Sequence, residues 1–126
     1  MHMPNEFSQT QKILIIDDDI NLTNTFKLIL QIEGFNVDTA STGLQGLHKV
    51  NKTDFDLVIV DMSLPDMMGD EIAETIKKIN GNIKIIILTG YNAFQEGIED
   101  KDINELLMKP IEPEDLIKTI NKILEK

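Results

Sequence analysis

The sequence predicts a single α/β domain built on a doubly wound parallel β-sheet with helices on both faces. Short apolar runs rich in β-branched residues alternate with longer segments of helical periodicity along the 126-residue chain. Parallel strands need crossover connections, which are usually helices that cover the faces of the sheet. Polar side chains also follow several of the apolar runs. They would lie at the carboxyl ends of strands, which is where open α/β sheets bind ligands.

Five segments are predicted as strands because they are short, rich in β-branched or apolar residues, and bounded by polar or turn-forming residues. They are residues 13–16, 36–40, 57–60, 83–88 and 105–108. The segments between them place apolar residues at helical spacing, as at Leu44, Leu47 and Val50. The segment 92–100 is the weakest helix prediction because Gly97 interrupts it.

The composition of the chain excludes or disfavours several kinds of function. The chain has 22 acidic and 12 basic residues, and its formal charge of −10 opposes direct binding to nucleic acid. It has no cysteine, which excludes a disulfide framework and a thiolate metal site. No apolar run approaches the roughly 18 residues of a membrane span, so we expect a cytoplasmic protein without membrane contact. Residues 1–11 are polar and aperiodic, which predicts a flexible tail before one domain at 12–126.

The organising stretch begins at Asp61, directly after four branched apolar residues at 57–60. Such a run predicts a strand that is buried on both faces. Leu64 and Pro65 then favour an extended or turn geometry, and Gly69 is expected to open the next helix. Taken alone, Asp61 fits a loop-capping role as well as a functional one.

Other strand ends carry similar groups. Asp17, Asp18 and Asp19 follow the first strand, Thr89 follows the fourth and Lys109 follows the fifth. Each has a simpler explanation by itself: Asp19 could cap the next helix, and the Lys109 stem could cover apolar surface. If the strands are parallel, however, all these groups converge with Asp61 on one edge of the sheet.

The converging groups predict phosphoryl chemistry. Neighbouring carboxylates disfavour each other's ionisation unless a cation joins them, and Mg²⁺ suits one or two carboxylates with waters and a phosphate oxygen. Lys109 could neutralise a phosphoryl oxygen while the Thr89 hydroxyl donates a hydrogen bond to another. Asp61 in that setting is equipped to attack phosphorus and to hold an acyl phosphate.

The ordered set of motifs resembles the receiver domains of two-component response regulators, the CheY-like family, over about residues 11 to 126. The matching elements are Ile-Ile-Asp-Asp-Asp at 15–19, Asp-Met-Ser-Leu-Pro-Asp-Met-Met-Gly at 61–69, Leu-Thr-Gly at 88–90 and Lys-Pro at 109–110. The resemblance implies a flavodoxin-like sheet of five parallel strands in the order 2-1-3-4-5, flanked by helices.

The resemblance also implies a role for each acidic residue of the site. Asp61 would be the phosphoacceptor and one of the ligands of the Mg²⁺ cofactor. Asp18 would ligate Mg²⁺ directly, and Asp17 would help through a bound water. The backbone carbonyl of Ser63 would supply a further ligand.

Partners follow from the same resemblance. The donor would be the phosphohistidine of a sensor histidine kinase or a histidine phosphotransfer protein, with Thr89 and Lys109 contacting the transferred group. The change would be read by a downstream effector domain or protein at the surface of the family's fourth helix, fifth strand and fifth helix. Such a domain is not an enzyme; self-phosphorylation from small donors, slow self-dephosphorylation and a monomer or phosphorylation-dependent dimer are expected.

Two positions depart from the family pattern. Leu106 stands where receivers commonly carry a switching Tyr or Phe, so aromatic switching is not expected. Asp102 and Ile103 replace a frequent Gly-Ala pair. Ser63 and Tyr91 would flank the route of attacking water, and we hypothesise that the Tyr91 ring restricts it.

Two other functions remain open from the sequence. The start Asp17-Asp18-Asp19 also resembles haloacid-dehalogenase-type phosphatases, with Asp17 as nucleophile and Asp19 as acid/base. That interpretation leaves the motif at 61–69 unexplained, and no paired acidic motif follows Lys109 at a suitable strand end. The other possibility is a receiver-shaped interaction module that is never phosphorylated.

Overall fold

The computed structural model of the chain describes residues 10–90 and 102–125, and five parallel strands form its sheet. The strands are β1 Lys12–Ile16, β2 Asn36–Ala40, β3 Leu57–Asp61, β4 Lys84–Thr89 and β5 Glu105–Met108. They lie in the order β2-β1-β3-β4-β5, and each neighbouring pair is parallel. The predicted fold class and strand order are confirmed.

Helices cover both faces of the sheet. Within the described ranges they are α1 Ile20–Ile32, α2 Gly43–Lys52, α3 Gly69–Ile79 and α4 Pro113–Leu124. The predicted helix at 92–100, Tyr91 and residues 1–9 of the predicted tail lie outside the described residues. None of the described helices is long and apolar enough to cross a membrane.

Two functional residues belong to the strands themselves. The third strand was predicted to end at Val60 and the fourth at Leu88, but each extends one residue further, to Asp61 and Thr89. Asp61 stands opposite Leu88, and Thr89 stands opposite Met108. Pairing with a neighbouring strand therefore fixes the backbone of both residues. The predicted strands ended one residue too early because the end of a strand depends on backbone pairing as well as on side-chain polarity.

The sheet separates two apolar layers, since successive side chains of a strand point to opposite faces. Leu14 and Ile16 join one layer and Ile13 and Ile15 join the other. Helices α2 and α3 cover the first layer through Val50, Ile72, Ala73 and Ile76. Helices α1 and α4 cover the second through Phe26, Leu30, Leu116 and Ile120. Burial on both faces explains the unbroken apolar runs of the central strands.

Helix α2 packs through glycine rather than through the first leucine of its apolar pattern. Leu44 was predicted on the apolar face but is 68% exposed. Gly43 and Gly46 are buried instead, and a Cβ added to Gly46 would lie 2.8 Å from Cγ1 of Ile16. The prediction for Leu44 was wrong because helical spacing does not show how closely a glycine lets the backbone approach a sheet.

Substituting Gly46 with alanine should destabilise the fold. The gain in helix propensity is about 1 kcal/mol, but overpacking against the fully buried Ile16 should cost roughly 2–3 kcal/mol, for a net loss of roughly 1–2 kcal/mol. Urea unfolding measures the difference. Gly81→Ala is the control, because its new Cβ would meet its nearest neighbour, the Lys77 carbonyl oxygen, at an ordinary 3.7 Å. Equal stability of the Gly46→Ala and native chains would contradict this packing.

Candidate functional site

Four predicted site residues meet at the carboxyl edge of the sheet. Asp17 directly follows β1, Asp61 ends β3, Thr89 ends β4 and Lys109 directly follows β5. The Lys109 ammonium nitrogen lies 3.0 Å from Asp17 Oδ2 and 3.2 Å from Asp61 Oδ1. One cation thus bridges two carboxylates that come from different strands.

The acidic pair after β1 divides into a buried and an exposed carboxylate. Asp17 is 1% exposed, whereas Asp18 faces solvent. Asp17 Oδ1 accepts a hydrogen bond from the backbone amide of Asp19 at 3.0 Å. Within the described ranges, Asp17 Oδ2 has no hydrogen-bond partner, and its close contact is the ionic one with Lys109. A buried carboxylate oxygen without a hydrogen bond is costly unless a cation neutralises it.

Asp19 has the capping role that was considered for it. Its side chain accepts a hydrogen bond from the backbone amide of Leu22 at 3.1 Å and caps helix α1. That bond satisfies one of the free amides at the helix start. Asp19 therefore stabilises the helix that begins beside the site.

The surroundings of the site shift the pKa values of Asp61 and Lys109. Burial first, and then the nearby Asp17 carboxylate, raise the pKa of Asp61 above its usual 3.8, although Lys109 and the backbone amide of Ser63 offset part of this. Burial alone would lower the pKa of Lys109, but Asp17 and Asp61 outweigh it and hold that pKa above its usual value. Lys109 is therefore a permanent positive charge between groups that would otherwise repel each other.

The acidic residues fit a hard divalent cation. One carboxylate oxygen from each of Asp17, Asp18 and Asp61 can be chosen so that the three atoms lie within 4.8 Å of one another. Carboxylate oxygens are the donors that Mg²⁺ prefers. Asp17 Oδ2 is in ionic contact with Lys109 and has no hydrogen bond among the described residues, so it can also contact such an ion or one of its waters. The predicted grouping of these three carboxylates is present.

The loop after Asp61 presents backbone groups to the same site. The loop from Met62 to Gly69 closes as a short hairpin, with the Gly69 amide donating to the Met62 carbonyl at 2.7 Å and the Leu64 amide to the Met67 carbonyl at 3.3 Å. These bonds flank the isolated antiparallel pair of Ser63 and Met68. In such a pair the amide and carbonyl of Ser63 both point away from the opposite strand. Since that amide interacts with the Asp61 carboxylate, the Ser63 carbonyl lies on the same side.

Helix α3 begins directly against the backbone of Asp61. A Cβ on Gly69 would lie 2.8 Å from the carbonyl oxygen of Asp61 and 2.8 Å from Cα of Met62. Backbone atoms cannot move aside as a flexible side chain can, so only glycine fits here. The sequence predicted that Gly69 opens the helix, and the structure adds the close approach that requires it.

Thr89 and Leu106 lie on neighbouring strands near this edge. The Thr89 hydroxyl is buried and donates to the Gly90 carbonyl at 3.2 Å, while the backbone amide of Lys109 donates to the Thr89 carbonyl at 2.7 Å. Leu106 is partly buried and packs against the apolar layer beneath α2 and α3. The hydroxyl of Thr89 is thus held at the end of β4, beside the strand that leads to Lys109.

Asp66 is a residue whose role the sequence did not reveal. Its carboxylate accepts hydrogen bonds from the backbone amides of Gly43 at 2.8 Å and Leu44 at 3.0 Å, at the start of α2. These two bonds hold the pKa of Asp66 below its usual range. An Asp in a polar loop signals capping, but the helix it caps is 22 and 23 residues away in sequence, so local spacing does not identify it.

Comparison with known proteins decides the family. The model of the response regulator receiver domain matches residues 13–121. The chain belongs to the response regulator receiver family. It is therefore a phosphoacceptor domain of two-component signalling rather than a classical enzyme, and the phosphatase and silent-module alternatives are not favoured.

Relatives of the receiver include transcriptional and cell-cycle regulators. It is 33% identical over 117 residues to a transcriptional regulatory protein CpxR homologue of Haemophilus influenzae, covering 91% of this chain and 51% of the relative. It is 31% identical over 121 residues to the cell cycle response regulator CtrA of Brucella ovis, covering 91% and 50%. The receiver thus spans about half the length of the curated relatives it matches.

Solved structures agree with this assignment. A CheY-like receiver domain protein from Methanospirillum hungatei superposes with a TM-score of 0.88 at 34% identity, covering 93% of this chain and 95% of that one. TrrA from Thermotoga maritima, solved in complex with Mg²⁺-BeF, superposes with a TM-score of 0.83 at 32% identity, covering 90% and 99%. Mg²⁺ binding is thus found in the family, and the acidic cluster of this receiver is of the matching kind.

Removing the charge of Asp61 should stabilise the metal-free receiver at neutral pH. The raised pKa means that folding favours the protonated carboxyl, so this contribution to stability is present below the unfolded pKa of 3.8 and is lost as pH rises through the folded pKa. In EDTA at pH 7, Asp61→Asn should therefore require more urea to unfold than the native chain. This advantage should shrink as the pH falls towards 3.8.

The control for this experiment is Asp54→Asn. Asp54 is exposed and precedes β3, at the edge of the sheet opposite the site, so its substitution removes the same charge from the same chain. Equal stabilisation by both substitutions would attribute the effect to net charge. A native chain as stable as Asp61→Asn at pH 7 would contradict the assigned electrostatics.

Proposed function

We propose that Asp61 accepts the phosphoryl group of a phosphohistidine carried by a sensor histidine kinase or a histidine phosphotransfer protein. An Asp61 carboxylate oxygen forms a bond to phosphorus while the bond between phosphorus and the imidazole nitrogen breaks, and the donor keeps the freed electron pair. The observation that carries this proposal is the position of Lys109, which lies within 3.2 Å of both buried carboxylates.

Asp17, Asp18, Asp61 and the Ser63 carbonyl would together hold Mg²⁺. When bound, the ion supplies positive charge to the oxygens of the transferred group. Lys109 supplies a second positive charge and keeps the Asp61 carboxylate oriented. The Thr89 hydroxyl leaves its bond with the Gly90 carbonyl and donates to a phosphoryl oxygen, which only the phosphorylated state offers.

Output would pass through the elements that follow Thr89 and Lys109. A phosphoryl oxygen that draws both side chains inward displaces the ends of β4 and β5, which are paired with each other. Among the described residues, β5 is the last strand at one edge of the sheet and leads into α4, so we propose these two elements as the surface that an effector domain or protein contacts. Since Leu106 replaces the usual aromatic residue, we propose that backbone movement rather than an aromatic flip carries the signal.

The proposal also includes phosphorylation by small donors, loss of the phosphoryl group to water, cellular location and assembly. Asp61 would also accept phosphoryl groups from small acyl phosphates and would lose them slowly to water. A cytoplasmic location is part of the proposal. Assembly as a monomer or as a phosphorylation-dependent dimer remains part of the proposal.

Incubation with Mg²⁺ and acetyl phosphate tests the acceptor. Intact-mass measurement and peptide mapping should find one labile phosphoryl group on Asp61 of the native chain, none without Mg²⁺ and none on Asp61→Asn. Asp54→Asn should be labelled like the native chain because Asp54 lies at the opposite edge of the sheet. Label on Asp17 with rapid donor turnover would instead favour a phosphatase, and the absence of any label would favour a silent interaction module.

A further inference from the structure

The hairpin that carries Ser63 is attached to a second element at its tip. Met62 and Gly69 close its base, and Asp66 lies near its tip. Both carboxylate oxygens of Asp66 accept backbone amides at the start of α2, from Gly43 at 2.8 Å and from Leu44 at 3.0 Å. Two hydrogen bonds from one carboxylate fix both the distance and the orientation of the hairpin relative to that helix.

Helix α2 is itself a fixed support. Its Thr42 side chain accepts the Gln45 amide at 3.1 Å, so Thr42 and Asp66 together satisfy the first three amides of the helix. Its Gly46 lies against Ile16, the last residue of β1. The next residue after Ile16 is Asp17, the buried carboxylate of the acidic cluster.

These contacts connect two parts of the proposed metal site through helix α2, which itself contributes no ligand. One side is Asp17, which follows the strand against which α2 packs. The other is the Ser63 carbonyl, on the hairpin that Asp66 ties to α2. A carboxylate that contacts a small ion through one of its waters and a carbonyl that contacts the same ion directly must be correctly spaced, because Mg²⁺ tolerates little deviation from octahedral geometry.

We infer that Asp66 is a positioning residue for the metal site: by clamping the acceptor hairpin to the start of α2, it places the Ser63 carbonyl at the distance from Asp17 that Mg²⁺ requires. The inference rests on the proposed function, because it takes Ser63 as a ligand. Asp66 does not touch the metal or the phosphoryl group. It acts through the backbone that it holds, as outer-shell partners of metal ligands do.

Calorimetric titration of Mg²⁺ into the unphosphorylated receiver at physiological ionic strength tests this. Asp66→Ala removes both hydrogen bonds and should raise the Mg²⁺ dissociation constant about tenfold, as the loss of outer-shell partners does in other metal sites. Asp66→Asn keeps one acceptor oxygen and should give an intermediate value. It also keeps the experiment decisive if the alanine variant fails to fold.

Asp70→Asn is the matched control. Asp70 lies in the first turn of α3, and its carboxylate accepts the neighbouring Glu71 amide at 2.9 Å. Its substitution removes an equal charge next to Gly69 without loosening the hairpin from α2, so the dissociation constant should change by less than about twofold. An equal weakening by Asp70→Asn would overturn the inference, because the effect would then be one of charge.

Unfolding in EDTA separates positioning from general stability. Native Mg²⁺ affinity in both Asp66 variants, with a lower free energy of unfolding, would overturn the inference and leave Asp66 a helix cap alone. In that case the native chain still binds Mg²⁺ and the proposed function stands. Failure of the native chain to bind Mg²⁺ would instead overturn the metal site itself and the inference with it.

Discussion

The ionic contact of Lys109 with Asp17 and Asp61 is the interaction on which the site depends. Two buried carboxylates from adjacent strands repel each other, and burial adds to the cost of their charge. Lys109 offsets both effects from a third strand and is itself held in the charged state by them. Lys109 thus allows Asp17 and Asp61 to lie close together, yet the pKa of Asp61 stays raised. A divalent cation bound at the site would further stabilise the charged carboxylate, and phosphorylation would remove its charge.

The rest of the fold places these groups on a rigid frame. Asp61 and Thr89 are paired strand residues, so their backbones cannot drift as loop residues do. Gly69 allows α3 to start against the Asp61 carbonyl, and Gly46 allows α2 to pack closely on β1. Asp66 then ties the hairpin between β3 and α3 to α2. Functional groups at the carboxyl edge are thus supported from the strands and from the helices.

The site was largely predictable because its signals are local. Asp17, Asp61, Thr89 and Lys109 each end or follow a strand-like run, and parallel strands bring such ends to one edge. The exposure of Leu44 could not be predicted, since it depends on how Gly46 meets Ile16 across the fold. The clamp formed by Asp66 could not either, because its partners lie on an element more than twenty residues earlier in the chain. Local sequence patterns show which side chains lie on an element or at its end. Which residues of other elements these side chains contact depends on how the elements pack together.

A crystal structure of the chain with Mg²⁺ and beryllofluoride, which mimics a phosphoryl group, tests the central claim most directly. The account predicts beryllium bonded to an Asp61 carboxylate oxygen and Mg²⁺ held by the acidic cluster and the Ser63 carbonyl. Lys109 and Thr89 should contact the fluorines. Beryllofluoride on Asp17, or a metal ion bound away from Asp61, would contradict the account.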